Sequence, residues 1–457
     1  MAAAMARALV VGAGPAGIAA AGVLVRAGAD VTLVDENPRP GGQIHRRPAD
    51  GLRIDMRRLL SRSLEAYDAF HAKADALCEA VDYRPSTLVW SARDGEAHLA
   101  SDSRSVSLGY DALVLATGAV DRVAPVAGWT LPGVFSLGGA QVLLKGQGCL
   151  IGSRTVFCGA SPLLYLAALQ YARMGGDVAA IIDEAPFSAK IRALPQMASE
   201  PGTLLEGLRY MRALARRGVR IVHGASVASF TGEDRVEGVE IVRRDGTRET
   251  IACDSVAYGH GLKPESQLAE LAGGGLRYDP DVRLHLPETD EDGRLLPGVY
   301  ACGDGAMVGG AVAAEISGRL AGAAAARDLG LLPDADAGRA SLARRLGRLR
   351  RFQRGLAIAF PWRRHFASSL DNGVILCRCE NVTVGEVRAS LSRPFGAGDV
   401  NRVKADTRCG MGRCQGRFCG PAFVEIVAAA GGSDARPGRL RSQPPVKPLP
   451  VAAGSAP

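Results

Sequence analysis

The chain has 457 residues, more than one hydrophobic core usually organises, so its length implies two or three domains and excludes a small binding module. Apolar residues make up 47% and charged residues 22%, which places most of it among packed globular chains rather than disordered ones. The net charge of +8 suits an acidic partner, but no aromatic interleaving accompanies the basic runs, so nucleic acid is not expected. The start lacks a charged region, an apolar core and a cleavage site, and reads as cytoplasmic, with peripheral contact at the inner membrane face as the most the basic balance allows. Positions 8 to 25 carry no charge, yet the glycines inside them fit strand, turn and helix better than a membrane span.

A strand, a glycine turn, a helix and a second strand ending in an acid occur twice. In the first copy Gly12, Gly14 and Gly17, with Pro15 and Ala16 between them, follow an apolar strand and open an alanine-rich helix. Asp35 closes the next strand, with Glu36 beside it. Gly12 permits the tight turn, Gly14 lets a pyrophosphate approach the backbone, and Gly17 lets helix and strand pack closely. The helix N-terminus supplies N–H groups, and Asp35 is the acceptor for ribose hydroxyls. A Pro/Gly loop containing Gly41, Gly42 and Gln43 follows, then an irregular region and an apolar strand running into Ala116, Thr117 and Gly118.

The second copy opens at Gly159, but Ser161 and Leu164 stand where its middle and last glycines belong. A serine side chain would crowd a dinucleotide there, although Asp183 at the following strand end can still hold a ribose. This domain is therefore expected to take an adenine nucleotide, NAD or nothing. Farther on, a short strand leads into Gly303 and Asp304, matching the strand before Ala116, so the second domain is read as inserted into the first. Nine arginines and no carboxylate lie between Asp336 and Asp371, with Leu342, Leu346, Leu349, Phe352 and Leu356 at helical spacing. They form a basic amphipathic linker that covers a neighbouring domain or docks another protein chain.

Five of the ten cysteines fall at 377, 379, 409, 414 and 419, a grouping that points to a metal rather than to disulfides. A Cys-x-Cys pair followed by glycine-rich Cys-x4-Cys suits an iron-sulfur cluster better than a zinc ribbon, zinc being the alternative. Between the pairs, Thr383 and Glu386 form a capping box opening a short helix, and Pro421 starts another. Single or widely spaced Cys302, Cys149 and Cys158 give no redox pair. His45, beside the glycine loop, is the one histidine placed for a flavin role. No residue presents itself as a proton-transfer catalyst.

Together, Ala116 to Gly118 and Gly303 to Asp304 resemble two signatures of flavoproteins with paired dinucleotide domains, which implies FAD. That resemblance gives Gly303 and Asp304 the ribityl-phosphate region, and Gly41, Gly42 and Gln43 the loop beside the flavin's adenosine-diphosphate half and ring. The cysteine-rich segment resembles the bacterioferritin-associated-ferredoxin-like [2Fe-2S] domain. Its likeness to anaerobic glycerol-3-phosphate dehydrogenases, which lack a cysteine at 409, implies Cys377, Cys379, Cys414 and Cys419 as ligands, with Cys409 spare or an alternative. To about residue 432 the chain resembles the FAD-containing A or alpha subunits of heteromeric amino-acid dehydrogenases, a group with opine oxidases, proline and hydroxyproline dehydrogenases and hydrogen cyanide synthase.

The expected fold is α/β, with two Rossmann-like domains of pyridine nucleotide-disulfide oxidoreductase type and a small helical iron-sulfur domain. The expected domains are 1–125 with 285–330 for FAD, 126–284 for the second nucleotide domain, 331–372 for the linker, 373–432 for the [2Fe-2S] domain and 433–457 for an extended or disordered tail. The expected role is electron transfer from a second flavoprotein subunit, which oxidises an amine, towards an acceptor, with a small ferredoxin-like subunit as a further partner. The alternatives are a stand-alone NADH-dependent reductase and a purely structural subunit.

Overall fold

A computed structural model describes residues 5–101, 104–331, 338–363, 366–393, 399–431 and 438–450. Asp336, which opens the basic segment, Arg364 within it and Gly432, which closes the cysteine-rich domain, lie outside them, as do the first four residues and 433–437 and 451–457 of the tail.

The apolar run Arg7–Val11 forms a central strand because its residues after Arg7 are buried on both faces, as parallel sheets covered by helices require. It pairs in parallel with Asp30–Val34 on one side and Ala112–Leu115 on the other. Val299–Ala301 pairs with Ala112–Leu115, and with Asp82–Arg84 and Arg294–Leu296 at the edges the sheet has six strands. Two stretches almost two hundred residues apart thus complete one sheet, and the turns after Val11, Leu115 and Ala301 open at the same carboxyl end. There, α/β folds collect their ligands.

Two small-residue helices cover this sheet. Pro15–Arg26 crosses Ala311–Asp328 so closely that a Cβ at Gly318 would stand 2.1 Å from the Ala16 carbonyl oxygen, and one at Gly322 2.7 Å from that of Ala20. Glycine and alanine are needed at that crossing on steric grounds.

A second sheet has the order Ile221–His223, Asp177–Asp183, Arg154–Gly159, Ser255–Gly259, Val134–Ser136, with all its pairings parallel. The expected irregular stretch after the glycine loop is instead ordered: it holds the helix Leu64–Ala80 and an antiparallel meander, Leu88–Arg93, Glu96–Ser101 and Arg104–Gly109.

The basic segment forms the helix Arg339–Ala359. Leu346 and Leu349 pack on Ala313, Ile316 and Leu320 of the first unit, and Phe352 on Ala193 and Met197 of the second, so its apolar stripe joins the two; Arg344, Arg345, Arg348, Arg351 and Arg354 are exposed, while Arg350 is partly buried and Arg339 pairs with Asp292. The cysteine-rich segment comprises the hairpin Ile375–Cys377 with Val382–Thr383 and the helices Val384–Leu391, Val400–Thr407 and Gly420–Ala430. Its capping box is present, with Thr383 and Glu386 each bonding the other's backbone N–H. Val384 and Phe423 share a core with Val156 and Tyr258 of the second sheet, and Trp129 Nε1 donates to the Ile375 carbonyl at 2.5 Å. Among the described residues no helix is long and apolar enough to cross a membrane.

Candidate functional site

The glycine turn after Val11 is built as its residue types demand. Gly12 has φ +108, and a Cβ on it would lie 2.3 Å from the Ala116 carbonyl oxygen; one on Gly17 would lie 1.7 Å from the Gly12 oxygen. Gly14 differs, because a Cβ there would meet only the Gly42 Cα, at 3.7 Å. Its missing side chain relieves no internal clash and leaves backbone open at the N-terminus of the helix beginning at Pro15, the surface an incoming pyrophosphate needs.

Asp35, 6% exposed, braces the turn. Its carboxylate accepts from Ala13 N–H at 2.6 Å and from the backbone and side-chain amides of Asn37 at 2.7 and 2.8 Å. Burial raises its pKa against these hydrogen bonds, and three donors leave acceptor capacity for a sugar hydroxyl. Glu36 is exposed and paired with Lys447 of the tail.

The other sequence-predicted positions converge here. Gly41 N–H donates to the Ala13 carbonyl, Gly42 touches Gly14, and Gln43 accepts a hydrogen bond from Arg46. A Cβ on Gly303 would reach the Ala16 side chain at 2.6 Å, and one on Gly305 would reach Thr117 Oγ1 at 2.6 Å. Asp304, partly buried and raised in pKa by desolvation, caps its own turn by accepting from Gly309 and Gly310 N–H at 2.8 and 3.1 Å. His45 stacks on Phe70 at 4.6 Å and burial pushes its pKa down to about 4, so it is neutral and held by packing. A groove with open backbone at a helix N-terminus, an acid at its far end, and an outward-facing Ile44 beside it fits FAD. Two residues that local patterns missed, Arg46 and Lys145, also face this loop.

In the second unit the corresponding acid is taken up by the protein itself. Asp183 is wholly buried; Tyr165 donates its hydroxyl to it, Ala185 N–H lies at 3.0 Å and Lys190 Nζ at 2.6 Å. Its pKa is lowered, the desolvation penalty being outweighed by hydrogen bonds and charge from His223, Lys190 and Tyr165. Ser161 is 1% exposed and its hydroxyl accepts from Leu163 N–H at 3.2 Å, while Leu164 is core. Asp183, read from sequence as a ribose acceptor, is therefore enclosed by the chain's own donors.

The five clustered cysteines meet. Sγ atoms of the buried Cys377, Cys409 and Cys419 lie within 4.8 Å of one another, Cys414 bonds to Cys419 and Cys379, and Cys379 is the exposed member. Hydrogen bonds from Cys409 and Cys419 hold the Cys377 thiol down at about 2, and one from Cys419 holds Cys414 at about 5. The donor set is all sulfur, Cys377 and Cys379 coming from the hairpin and the other three from a stretch with left-handed residues at Arg408, Gly410, Gln415 and Gly416, and it fits a [2Fe-2S] cluster. Cys409, expected as spare or alternative, lies in the most compact group.

The two sites are connected. Arg417, on the cysteine loop, pairs with Glu265 (Nε–Oε2 2.5 Å) and donates to the Cys414 carbonyl at 3.3 Å. Glu265 N–H in turn donates to the Gly118 carbonyl at 2.9 Å, and its own carbonyl accepts from Thr117 Oγ1 at 2.5 Å. Gln267 donates to the Gln415 carbonyl at 2.8 Å. The tail, expected as extended or disordered, is extended and fixed over 438–450: Val446 is 4% exposed, its N–H donates to the Trp90 carbonyl at 3.1 Å, and its carbonyl accepts from Arg417 at 2.7 Å.

Comparison with known proteins agrees with this construction. Residues 6–330 match the pyridine nucleotide-disulphide oxidoreductase family and residues 375–429 the BFD-like [2Fe-2S] binding domain. The chain is 38% identical to the A subunit of opine oxidase from Agrobacterium tumefaciens, over 97% of this chain and 90% of that one. It is 30% identical to the HcnB subunit of hydrogen cyanide synthase from Pseudomonas aeruginosa, over 98% of each. Among solved structures, L-proline dehydrogenase from P. horikoshii aligns over 99% of this chain and 81% of that one with a TM-score of 0.69 at 19% identity, a likeness of fold.

Proposed function

Because this chain belongs to the pyridine nucleotide-disulphide oxidoreductase family, in the group of HcnB and the opine oxidase A subunits, and is a flavin and iron-sulfur subunit of a heteromeric dehydrogenase, we propose that it relays electrons between its own two cofactors. In this reading a second flavoprotein subunit oxidises the C–N bond of an amino or imino acid of opine or hydroxyproline type. FAD, when bound, supplies two-electron acceptance with single-electron release. The chain's own residues supply the rest: Gly12, Gly14 and Gly17 admit the pyrophosphate, Asp35 the ribose, and Ala116 to Gly118 with Gly303 and Asp304 bound the ring-side half.

The observation that carries the relay is the continuous contact from Cys414 through Arg417 and Glu265 to Gly118 and Thr117, joining the cluster loop to the flavin groove without intervening solvent-exposed chain. The enclosed Asp183 weighs against nicotinamide as the electron source. Co-expression with a flavoprotein encoded beside its gene tests the reading. When proline, hydroxyproline or an opine is added anaerobically to the complex, the reduced-cluster EPR signal should appear. Turnover with an artificial dye while the cluster stays oxidised would contradict the relay.

Cys377, Cys379, Cys414 and Cys419 are the ligands in this proposal. Serine at 377 or 419 should therefore remove the cluster, measured as iron and sulfide per chain and by EPR, and Cys409→Ser should keep it. A full cluster in Cys419→Ser together with its loss in Cys409→Ser would transfer the ligand role to Cys409.

A further inference from the structure

Beside the glycine loop stand two cations, Lys145 buried and Arg46 half-buried, and neither forms an ion pair with a carboxylate among the described residues. Lys145, on the helix Leu137–Gln147, is 5% exposed, and its ammonium makes one long hydrogen bond, 3.4 Å, to the Ile44 carbonyl just past Gly41, Gly42 and Gln43. Arg46 donates through Nη2 to two neutral amides, Asn37 Oδ1 at 3.1 Å and Gln43 Oε1 at 3.0 Å, and its buried Nε has no partner among the described residues. The two side chains repel each other. Burial first, and Arg46 second, push the Lys145 pKa down to about 8.

Asp35 and Glu36 attract Arg46 through space, but Asp35 accepts from Ala13 and Asn37 and Glu36 pairs with Lys447, and burial still lowers the Arg46 pKa. The carbonyl end of the helix Leu137–Gln147, tied to the loop by Ala49 N–H to the Gly146 carbonyl at 2.7 Å, offsets part of the charge through its dipole. A buried cation that lacks a full partner destabilises the protein that holds it, so the buried Lys145 with the half-buried Arg46 beside it marks a place where an anion arrives.

We propose that Lys145 and Arg46 form an anion-holding pair for the flavin. They compensate the negative charge that FAD carries on its pyrophosphate and, when reduced, on its ring. This inference rests on the reading that FAD lies along Gly12 to Gly17.

The test uses the full chain stripped of flavin and reconstituted, comparing wild type with Lys145→Met and Lys145→Arg. Without FAD, Lys145→Met should melt at a higher temperature than wild type, because an unpaired buried charge is gone, and its stabilisation by added FAD should shrink. If the charge faces the pyrophosphate, FAD binding should weaken at least tenfold with the midpoint potential unchanged. If it faces the ring, binding should hold and the two-electron potential should fall by about 30 mV, the equivalent of tenfold. Lys145→Arg should resemble wild type in both. Affinity and potential of Lys145→Met both within twofold of a wild type that binds FAD would overturn the proposal, and a wild type that takes up no FAD would overturn the underlying reading as well.

Discussion

Gly14→Ala should leave the fold intact and empty the flavin site, whereas Gly17→Ala should damage both. A Cβ at Gly17 lies 1.7 Å from the Gly12 oxygen and 2.9 Å from its carbonyl carbon, and Gly12, at φ +108 against Ala116, has no room to yield. The helix Pro15–Arg26 would have to lift off its strand and off the crossing at Gly318. A clash of that kind costs about 3 kcal/mol or more, which lowers the melting temperature by several degrees. At Gly14 the new methyl meets only Gly42 Cα, at 3.7 Å, so the protein tolerates it and the pyrophosphate does not. Flavin content per chain should fall at least tenfold in both variants, and with the flavin-free proteins compared, thermal unfolding should be unchanged for Gly14→Ala alone. Retention of FAD by Gly14→Ala would place the cofactor elsewhere.

Breaking the Glu265–Arg417 pair should separate cofactor binding from electron transfer. The two side chains are 12% and 7% exposed, and Arg417 also holds the carbonyls of Cys414 and Val446. Removing one member of a buried pair leaves an uncompensated charge and costs about 3 to 5 kcal/mol, so Glu265→Gln should destabilise the contact between the cysteine loop and the groove. The double variant Glu265→Gln with Arg417→Met should recover part of that stability without restoring the contact. Flavin and iron content should stay near wild type in the double variant. After rapid flavin reduction, the cluster should follow at least tenfold more slowly, as read by rapid-freeze EPR. Unchanged kinetics in a fully loaded variant would remove this contact from the electron path.

What could be read from sequence was what short-range geometry encodes. The roles of Gly12, Gly14 and Gly17 follow from strand, turn and helix within a dozen residues, and the capping box at Thr383 from two positions three apart. The links that join the sites were not legible, because Glu265 and Arg417 are 152 residues apart and Lys145 and Ile44 are 101 apart. No periodicity records such pairings. Asp183 matched Asp35 in position, and the difference lay in Tyr165, standing where the first unit has Ile18, whose hydroxyl reaches the acid. The tail has the composition of a flexible segment, yet Val446 and Leu440 find apolar seats and Arg417 holds its backbone, so tertiary contacts order what local preference does not.

Where the electrons enter separates a relay subunit from a self-sufficient reductase. NADH and then NADPH should be added anaerobically to the purified protein, carrying flavin and cluster and free of partners, while the oxidised-flavin absorbance and the cluster EPR signal are followed. With Asp183 held by Tyr165 and Lys190, neither nucleotide should bleach the flavin, and dithionite should then reduce both centres. Rapid bleaching by either nucleotide would make the chain a reductase in its own right and contradict the relay from a partner subunit.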